Sequence, residues 1–368
     1  MKLQILQENL GKSVALASRF TSSRAQLPIL GNILLKGSKT KLSVLSTNLE
    51  TSVAIAVGAK VEKDGEIAVP SRVFSELVAN LPRETVSLEA EKEQLKVATP
   101  SFSSTILGMN TSDFPKIPSS ISKDKAISID NQLFVGACAK TLFAASLDET
   151  RPILTGVLFR FTSEGLILVA TDGFRLSLTK IKNQKAKTKS DFVVPKSVLS
   201  EIGRIEEGEI SLEFRTSEKQ IVFGVGDVVL SSRLLEGDFP DYEKIIPKTS
   251  TNKVRVDKED LLRAIKLASI FARDNANIVK IKLLKDSIKV LAESSSSGNQ
   301  ETKVEAKIEG GMGDFEIAFN FKFLEDFINS VGGEEVVMEF SEVDKPGVFL
   351  DPASPDYLHL IMPVKIQG

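Results

Sequence analysis

The residues that could do chemistry in this sequence do not fall into the patterns that catalysis requires. Gly11-Lys12-Ser13 resembles the end of a phosphate-binding loop, but Leu6 stands where the first glycine of that motif is needed. Gly224-Val225-Gly226 lacks the third glycine of a dinucleotide-binding motif and the helix that must follow it. The sequence therefore predicts neither nucleotide binding nor any other cofactor.

The chain has one histidine, His359, and one cysteine, Cys138. One histidine excludes a multi-histidine metal site and leaves one candidate imidazole base. His359 alternates with Leu358 and Leu360, which predicts a strand position with a structural or surface role. Cys138 lies in an apolar run and is expected to be a small buried hydrophobe in a reducing compartment.

Asp172-Gly173 separates two strand-like runs, which is typical of a hairpin turn rather than of a catalytic aspartate. No GxSxG elbow is present, and the carboxylates form no spaced pair in an obvious cleft motif. We predict that the chain is not an enzyme and has no exonuclease activity. A hydrolase without recognisable motifs is the alternative.

Composition indicates a globular protein of two or three domains, with 42% hydrophobic and 26% charged residues. The formal net charge is −2, so any basic surface must be local. Met1–Leu10 lacks the continuous apolar stretch of a signal peptide, and no run of ~18 apolar residues could span a membrane. We expect a cytoplasmic protein with no membrane partner.

The elements that would position functional groups form a threefold repeat. Asp113-Phe114-Pro115 recurs 125 positions later as Asp238-Phe239-Pro240, and Ala68-Val69-Pro70 recurs at the same offset as Val193-Val194-Pro195. Short helical patterns follow these, with a third copy at Phe323–Phe327. So long a period predicts domains with their own cores rather than solenoid units. We place their boundaries at 1–122, 123–250 and 251–368.

Each copy reads as two helices backed by antiparallel strands, which predicts an α+β fold with six helices in the chain. In the second copy, turn residues separate six predicted strands, which are Thr155–Phe161, Leu166–Ala170, Arg175–Ile181, Glu209–Phe214, Ile221–Val225 and Val228–Leu234.

The first helix of a copy has an apolar stripe and a separate basic side. In the third copy the stripe consists of Leu261, Ile265, Ala268 and Ala272, and the basic side of Arg263, Lys266 and Arg273. In the first copy, Lys12 and Arg19 share a face. A charged helix face is ordinary, but repeated helices in a curved array would pool their cations. Such a surface suits sequence-independent contact with phosphates.

Several segments of the sequence resemble those of a known family. The segments Leu27–Asn32, Ala170–Leu176, Gly237–Tyr242 and Met362-Pro363, together with the repeat, are similar to the β subunit of bacterial DNA polymerase III. The resemblance covers the whole chain in one register.

The resemblance implies a DNA clamp fold in which two chains join head to tail as a homodimeric ring around double-stranded DNA. It implies a processivity factor that holds DNA without sequence specificity and is loaded by a separate clamp loader ATPase. It makes Arg24, Arg72, Arg151 and Lys196 candidates for DNA contact, with Arg151 in the loop Asp148–Arg151. Ile270 and Phe271 are expected at the dimer interface.

The resemblance also implies a hydrophobic pocket between the second and third copies for the DNA polymerase III catalytic subunit, other polymerases and repair proteins that carry a clamp-binding motif. Carried over by position, the pocket comprises Leu154, Thr171, Gly173, Phe174, Arg175, Leu176, Pro240, Lys244, Ile245, Asn320, Leu360, Met362, Pro363, Val364 and Lys365. Apolar side chains with a flexible methionine suit short hydrophobic peptides.

Three positions depart from the family pattern. Phe174 stands where histidine is frequent, which makes that wall more apolar. Lys244 and Lys365 stand where arginine is common, and they lack its planar fork for carboxylates.

Ser294–Gln300 is predicted to be a mobile loop. The residues alone leave two hypotheses, which are the clamp and a monomeric interaction scaffold that does not encircle DNA.

Overall fold

The computed structural model describes residues 1–22, 27–182, 191–205, 208–310 and 315–365. Within these ranges the six α-helices are α1 (Gln7–Ser18), α2 (Ser71–Asn80), α3 (Asn131–Thr141), α4 (Lys196–Ile202), α5 (Lys258–Ala272) and α6 (Phe321–Ser330). Short 3-10 helices lie at Pro28–Gly31, Leu142–Ala144, Pro152–Thr155, Thr216–Glu218 and Tyr242–Lys244. The prediction of six helices is confirmed for this part of the chain.

Strands fill most of the remaining chain. Up to residue 122 they are β1 (Lys2–Leu6), β2 (Asn32–Ser38), β3 (Lys41–Thr47), β4 (Thr51–Gly58), β5 (Lys60–Lys63), β6 (Gly65–Pro70), β7 (Thr85–Glu91), β8 (Gln94–Thr99) and β9 (Phe102–Leu107). From there to residue 250 they are β10 (Ile127–Ile129), β11 (Gly156–Phe161), β12 (Gly165–Thr171), β13 (Arg175–Lys182), β14 (Asp191–Pro195), β15 (Ile210–Arg215), β16 (Gln220–Val225) and β17 (Val228–Arg233). The last are β18 (Asn252–Asp257), β19 (Ile278–Leu283), β20 (Ser287–Ser294), β21 (Gly298–Gly310), β22 (Glu316–Asn320), β23 (Glu335–Phe340), β24 (Gly347–Leu350) and β25 (Tyr357–Ile361).

The six strands predicted in the second copy match β11, β12, β13, β15, β16 and β17 to within one residue at each end. The first begins at Gly156 rather than Thr155, because Thr155 ends a 3-10 helix. Sequence reasoning missed the short strand β10, and it did not identify β14, which pairs with β11. All pairings among the described strands are antiparallel, so the α+β prediction is confirmed.

The contacts divide the chain into two compact units. One consists of Met1–Asn131 and Arg204–Leu234, and the other of Gln132–Gly203 and Leu235–Gly368. The first unit holds a five-stranded sheet, β5-β1-β7-β8-β9, and an eight-stranded sheet, β10-β15-β16-β17-β4-β3-β2-β6. The second holds the sheet β14-β11-β12-β13-β25-β24-β23-β18-β21-β20-β19-β22. Strands of different copies thus pair directly, at β4–β17 and at β13–β25.

The repeated motifs mark equivalent structural positions. Pro70 and Pro195 each precede the first residue of a helix, α2 and α4. Phe114 packs on the small cluster of Ile29, Leu30 and Ala68. Its counterpart Phe239 packs on a larger cluster in the second unit. In both copies the Asp-Phe-Pro motif therefore packs its partly buried phenylalanine against an apolar cluster.

Helix α5 shows how the sequence builds these elements. Its N-cap residue Asp257 accepts a 3.0 Å hydrogen bond from the backbone N–H of Asp260, which satisfies one of the free donors of the first turn. The predicted stripe is buried, and the predicted basic side is exposed. The large core around this helix contains stacked phenylalanines, including Phe319 and Phe340, whose ring centroids lie 6.0 Å apart.

The Ser294–Gln300 segment, predicted to be a mobile loop, contains the turn of a β-hairpin. Most of the segment belongs to the β20–β21 hairpin, in which Ser294 pairs with Gly298. The Asp274 carboxylate accepts hydrogen bonds from the hydroxyls of Ser294 (3.2 Å) and Ser296 (3.1 Å). One acceptor thus satisfies two hydroxyls of this serine-rich turn, and the predicted mobility stays a prediction.

No helix in the described ranges is both long and apolar enough to cross a lipid bilayer.

Cys138 is buried in α3, as predicted, and this burial raises the pKa of its thiol far above the ordinary range.

Candidate functional site

The turn between β12 and β13 is built by two polar side chains. The Thr171 hydroxyl donates to the Arg175 carbonyl (2.6 Å) and accepts from the Gly173 N–H (3.0 Å). One carboxylate oxygen of Asp172 accepts from the N–H groups of Phe174 (2.9 Å) and Arg175 (3.0 Å). Gly173 has a φ of +90°, a conformation that favours glycine. Asp172-Gly173 is a hairpin turn, as predicted.

This turn holds Phe174 away from the core, with 64% of its surface exposed. The Phe174 carbonyl accepts a 2.8 Å hydrogen bond from the N–H of Met362, which follows the last residue of β25. Two residues further on, the N–H of Val364 donates to the carbonyl of Ala318 in β22 (2.8 Å). The C-terminal segment is therefore fixed to the β12–β13 turn of the second copy and to β22 of the third.

A buried apolar floor underlies this segment. Leu176 in β13 lies opposite Leu360 in β25, and both are buried in one cluster. Tyr242, Phe239 and Ile246 pack on the same cluster. The 3-10 helix at Tyr242–Lys244 thereby places the stretch that includes Pro240, Lys244 and Ile245 beside the floor.

The predicted pocket residues differ in burial. Leu176 and Leu360 are buried in the floor, and Leu154 and Thr171 are also buried. Exposed apolar members form the rim, and they are Phe174, Ile245 and Met362. Lys244 and Lys365 are exposed, and Lys244 is paired with Asp241 at 2.8 Å. The result is an apolar surface with cations at its edge.

The Arg175 side chain is enclosed rather than displayed. Its Nε donates to Asp172 (3.1 Å), and its two Nη atoms donate to Asp326 and to the Phe143 carbonyl (both 2.6 Å). The guanidinium carbon lies 4.5 Å from the ring centroid of Phe323. Sequence reasoning missed Phe143, Phe323 and Asp326, although Phe323 and Asp326 share one face of α6 at a spacing of three residues.

Two further polar contacts support the site. Arg160 donates to Asp191 (2.9 Å), Glu243 (2.8 Å) and the Tyr242 hydroxyl (3.1 Å), which ties the 3-10 helix at Tyr242–Lys244 to β11. Under the β13–β25 pair, the Ser177 hydroxyl and the Nδ1 atom of His359 are joined by a 2.6 Å hydrogen bond. His359 is fully buried in its predicted strand, so its role is structural.

The candidate DNA-contacting residues occupy different environments. The Arg72 side chain on α2 is 89% exposed and pairs with Glu76 one turn later. Arg151 is exposed and lies beside Gly173, where a methyl group added to the glycine would be 3.6 Å from its guanidinium. Lys196 is half-buried at the start of α4, and burial and the nearby Arg175 lower its pKa. Arg24 lies outside the described residues.

The two candidate interface residues on α5 also differ. Ile270 is 60% exposed, whereas Phe271 is half-buried against the core of its own unit. Ile270 is therefore the side chain that a second molecule could cover.

Clefts elsewhere have other chemistry. One of about 980 Å³ is lined by Glu66, Glu91, Lys92 and Glu93 among its residues, which does not suit an apolar peptide. Over the described ranges, no three histidine, cysteine, aspartate or glutamate side chains come together as metal ligands would.

Comparison with known proteins gives the family. Residues 1–118, 128–241 and 243–365 match the N-terminal, central and C-terminal domains of the DNA polymerase III beta subunit. The chain belongs to the DNA polymerase III beta subunit family. The predictions of three tandem clamp domains and of a non-catalytic sliding clamp are confirmed, and the monomeric scaffold is not supported.

The sequences and structures of relatives match the chain over most or all of its length. The beta sliding clamp of Synechococcus elongatus is 29% identical over 379 residues, covering 100% of both sequences. That of Staphylococcus aureus is 28% identical over 94% of each. The DNA polymerase sliding clamp of Bacillus subtilis superimposes with a TM-score of 0.94 at 28% identity, and the DNA polymerase III beta subunit of Thermotoga maritima with 0.91 at 27%. Both structural matches cover 100% of each chain.

Proposed function

We propose that two copies of this chain join head to tail into a ring around double-stranded DNA. The ring would be retained by topology and would slide without sequence preference, since its phosphate contacts would be few and its net charge is −2. The proposal rests on the family and on exposed cations that the described helices carry, among them Lys12, Arg72 and Arg263. We place the domains at 1–122, 123–250 and 251–368, and the protein in the cytoplasm.

Retention on circular and linear DNA tests the ring. The chain should stay on nicked circular duplex through a high-salt wash and be lost when the circle is cut once. A clamp loader ATPase, which we propose as a partner, would be added with ATP to load it. Equal retention on circular and linear DNA would refute the ring.

A substitution at position 270 tests the proposed dimer interface. An aspartate at position 270 would bury a charge in an apolar contact, so Ile270→Asp should convert the dimer to a monomer in sedimentation and abolish retention on circles. Because Ile270 is exposed in the single chain, thermal unfolding of the monomer should change little. Leu133→Asp is the matched control, since Leu133 is an exposed leucine on α3.

We propose that partners dock on the apolar surface formed by Phe174, Ile245 and Met362. The observation that carries this proposal is the hydrogen bond that joins Met362 to Phe174 above a buried leucine floor. A short apolar peptide segment would cover the exposed side chains, and burying each is worth roughly 1.5–3 kcal/mol before the cost of ordering the peptide. The DNA polymerase III catalytic subunit is the first partner we propose.

Substitution of the rim tests the docking site. Phe174→Ser and deletion of Met362–Gly368 should each abolish binding of the purified polymerase III catalytic subunit, while the dimer persists. Leu133→Ser is the control for loss of an exposed apolar side chain elsewhere. Unchanged affinity in both variants would refute the site.

A further inference from the structure

We infer that Asp326 is a positioning residue for the docking surface: from α6 it holds the Arg175 guanidinium and, through it, the turn that presents Phe174. This inference rests on the docking site proposed above. It assigns Arg175 to the support of that surface rather than to ligand contact.

Three of the five N–H donors of the Arg175 guanidinium already have acceptors within the chain. Its side chain is only 10% exposed, and donors on three of its nitrogens have acceptors within 2.6–3.1 Å. The guanidinium carbon also lies over the rings of Phe323 and Phe143, at 4.5 Å and 5.4 Å from their centroids. A ligand carboxylate would therefore meet a guanidinium that is largely enclosed and already bonded through all three of its nitrogens.

These partners come from two different copies of the repeat. Asp172 and Phe143 belong to the second copy, as does Arg175, whereas Asp326 and Phe323 lie on α6 of the third. The Arg175–Asp326 pair joins residues 151 positions apart in the chain. It is thus a direct polar link between the two copies that supply the docking surface.

Asp172 connects the guanidinium to the turn. It uses one carboxylate oxygen for the N–H groups of Phe174 and Arg175 and the other for the Arg175 Nε. The position of the guanidinium and the shape of the turn are therefore coupled through one side chain. Moving the guanidinium would pull Asp172 away from the amides that hold Phe174 in place.

The charges around Arg175 make Asp326 necessary. Arg175 and Lys196 are two cations in a partly buried region, and Asp172 and Asp326 are the two anions that act on Lys196. Without the Asp326 charge, two cations share one carboxylate. Because an enclosed cation with too little compensating charge is unfavourable, Arg175 should then move toward solvent, although Asp172 and the Phe143 carbonyl still accept from it.

Asp326→Asn keeps the size of the side chain and removes its charge. Since Asp326 is 44% exposed, the variant should fold. We expect it to weaken binding of the purified polymerase III catalytic subunit about five- to tenfold, and Asp326→Glu to restore the affinity to within about twofold. Asp260→Asn is the matched control, because Asp260 forms an exposed 2.9 Å pair with Arg263 on another helix.

A spectroscopic measurement separates positioning from a loss of global stability. The chain contains no tryptophan, so Phe174→Trp introduces a single reporter on the turn. Adding Asp326→Asn should raise acrylamide quenching of this tryptophan, whereas adding Asp260→Asn should not. Unchanged quenching would overturn the inference.

The binding outcomes distinguish this inference from the proposed site itself. If Phe174→Ser abolishes binding while Asp326→Asn leaves it unchanged, the site stands and the role of Asp326 is refuted. Tighter binding by Asp326→Asn would also refute it, because it would show that the freed Arg175 contacts the ligand. If Phe174→Ser has no effect, the proposed site fails first.

Discussion

Acidification should destabilise the unit that contains β25, because its only histidine is held neutral. His359 is fully buried, and the rings of Phe327 and Phe143 lie 5.4 Å and 5.3 Å from its ring. Burial, and secondarily the positive charge of Arg175, lower the pKa of His359 well below its ordinary value. Within the described part of the chain, no protein group hydrogen-bonds to its Nε2 atom.

Proton linkage gives the sign and the size of the pH-dependent change in the free energy of unfolding. The unfolded chain binds a proton on His359 below a pH of about 6.5, and the folded chain does so only far below that. The contribution of neutral His359 to the free energy of unfolding is therefore fully present above pH 6.5. It is lost as the pH falls toward the folded-state pKa. The loss approaches about 1.4 kcal/mol per pH unit, or roughly 2 kcal/mol between pH 7.5 and 5.0.

Urea unfolding at a series of pH values, followed by circular dichroism, measures this slope. Carboxylates also titrate, so the matched variant His359→Gln, which cannot take up a proton, supplies the background. The variant should be less stable at pH 7.5, but its stability should fall less steeply with acid than that of the parent. The difference between the two curves is the histidine contribution.

Proton NMR gives an independent test, since one histidine yields a single imidazole Hε1 signal in the native protein. The signal should not titrate between pH 7.5 and 5.0. A native midpoint near 6.5, or parallel pH profiles for the parent and His359→Gln, would refute the reasoning.

Three further predictions concern the fold around the docking surface. Gly173→Ala, at a φ of +90°, should lower the free energy of unfolding by roughly 1–2 kcal/mol in urea titrations, whereas Gly203→Ala, at a φ of −60°, should be neutral or stabilising. Leu176→Ala should cost about 2–5 kcal/mol in the same assay because Leu176 is buried, and Leu133→Ala should cost far less because Leu133 is exposed. Cys138 should react with a thiol reagent such as DTNB only after unfolding, and rapid reaction of the native chain would contradict its burial.

Local patterns were enough to predict much of the fold. The spacing of Leu261, Ile265, Ala268 and Ala272 gave the buried side of α5, and turn residues gave the strands of the second copy to within one residue. Periodicity succeeds here because each residue's burial follows from its position along one helix or strand. Short strands such as β10 lack enough residues to show a period.

The candidate site was predicted only in part. Its apolar members were named by resemblance, but Phe143, Phe323 and Asp326 were not. For Ser294–Gln300, composition alone did not show that the segment lies in a hairpin or that Asp274 accepts from two of its serines. Contacts between residues far apart in the chain leave no local signal.

The sequence by itself determined the repeat, the helices with one apolar and one basic side, and the absence of recognised catalytic motifs. Tertiary structure decided which strands of different copies pair, as Leu176 does with Leu360. It also decided that Arg175 is enclosed by Asp172 and Asp326 instead of facing solvent. The physical reason is that burial and ion pairing depend on which distant segments meet, and the same arginine at the same position could otherwise have been a free surface cation.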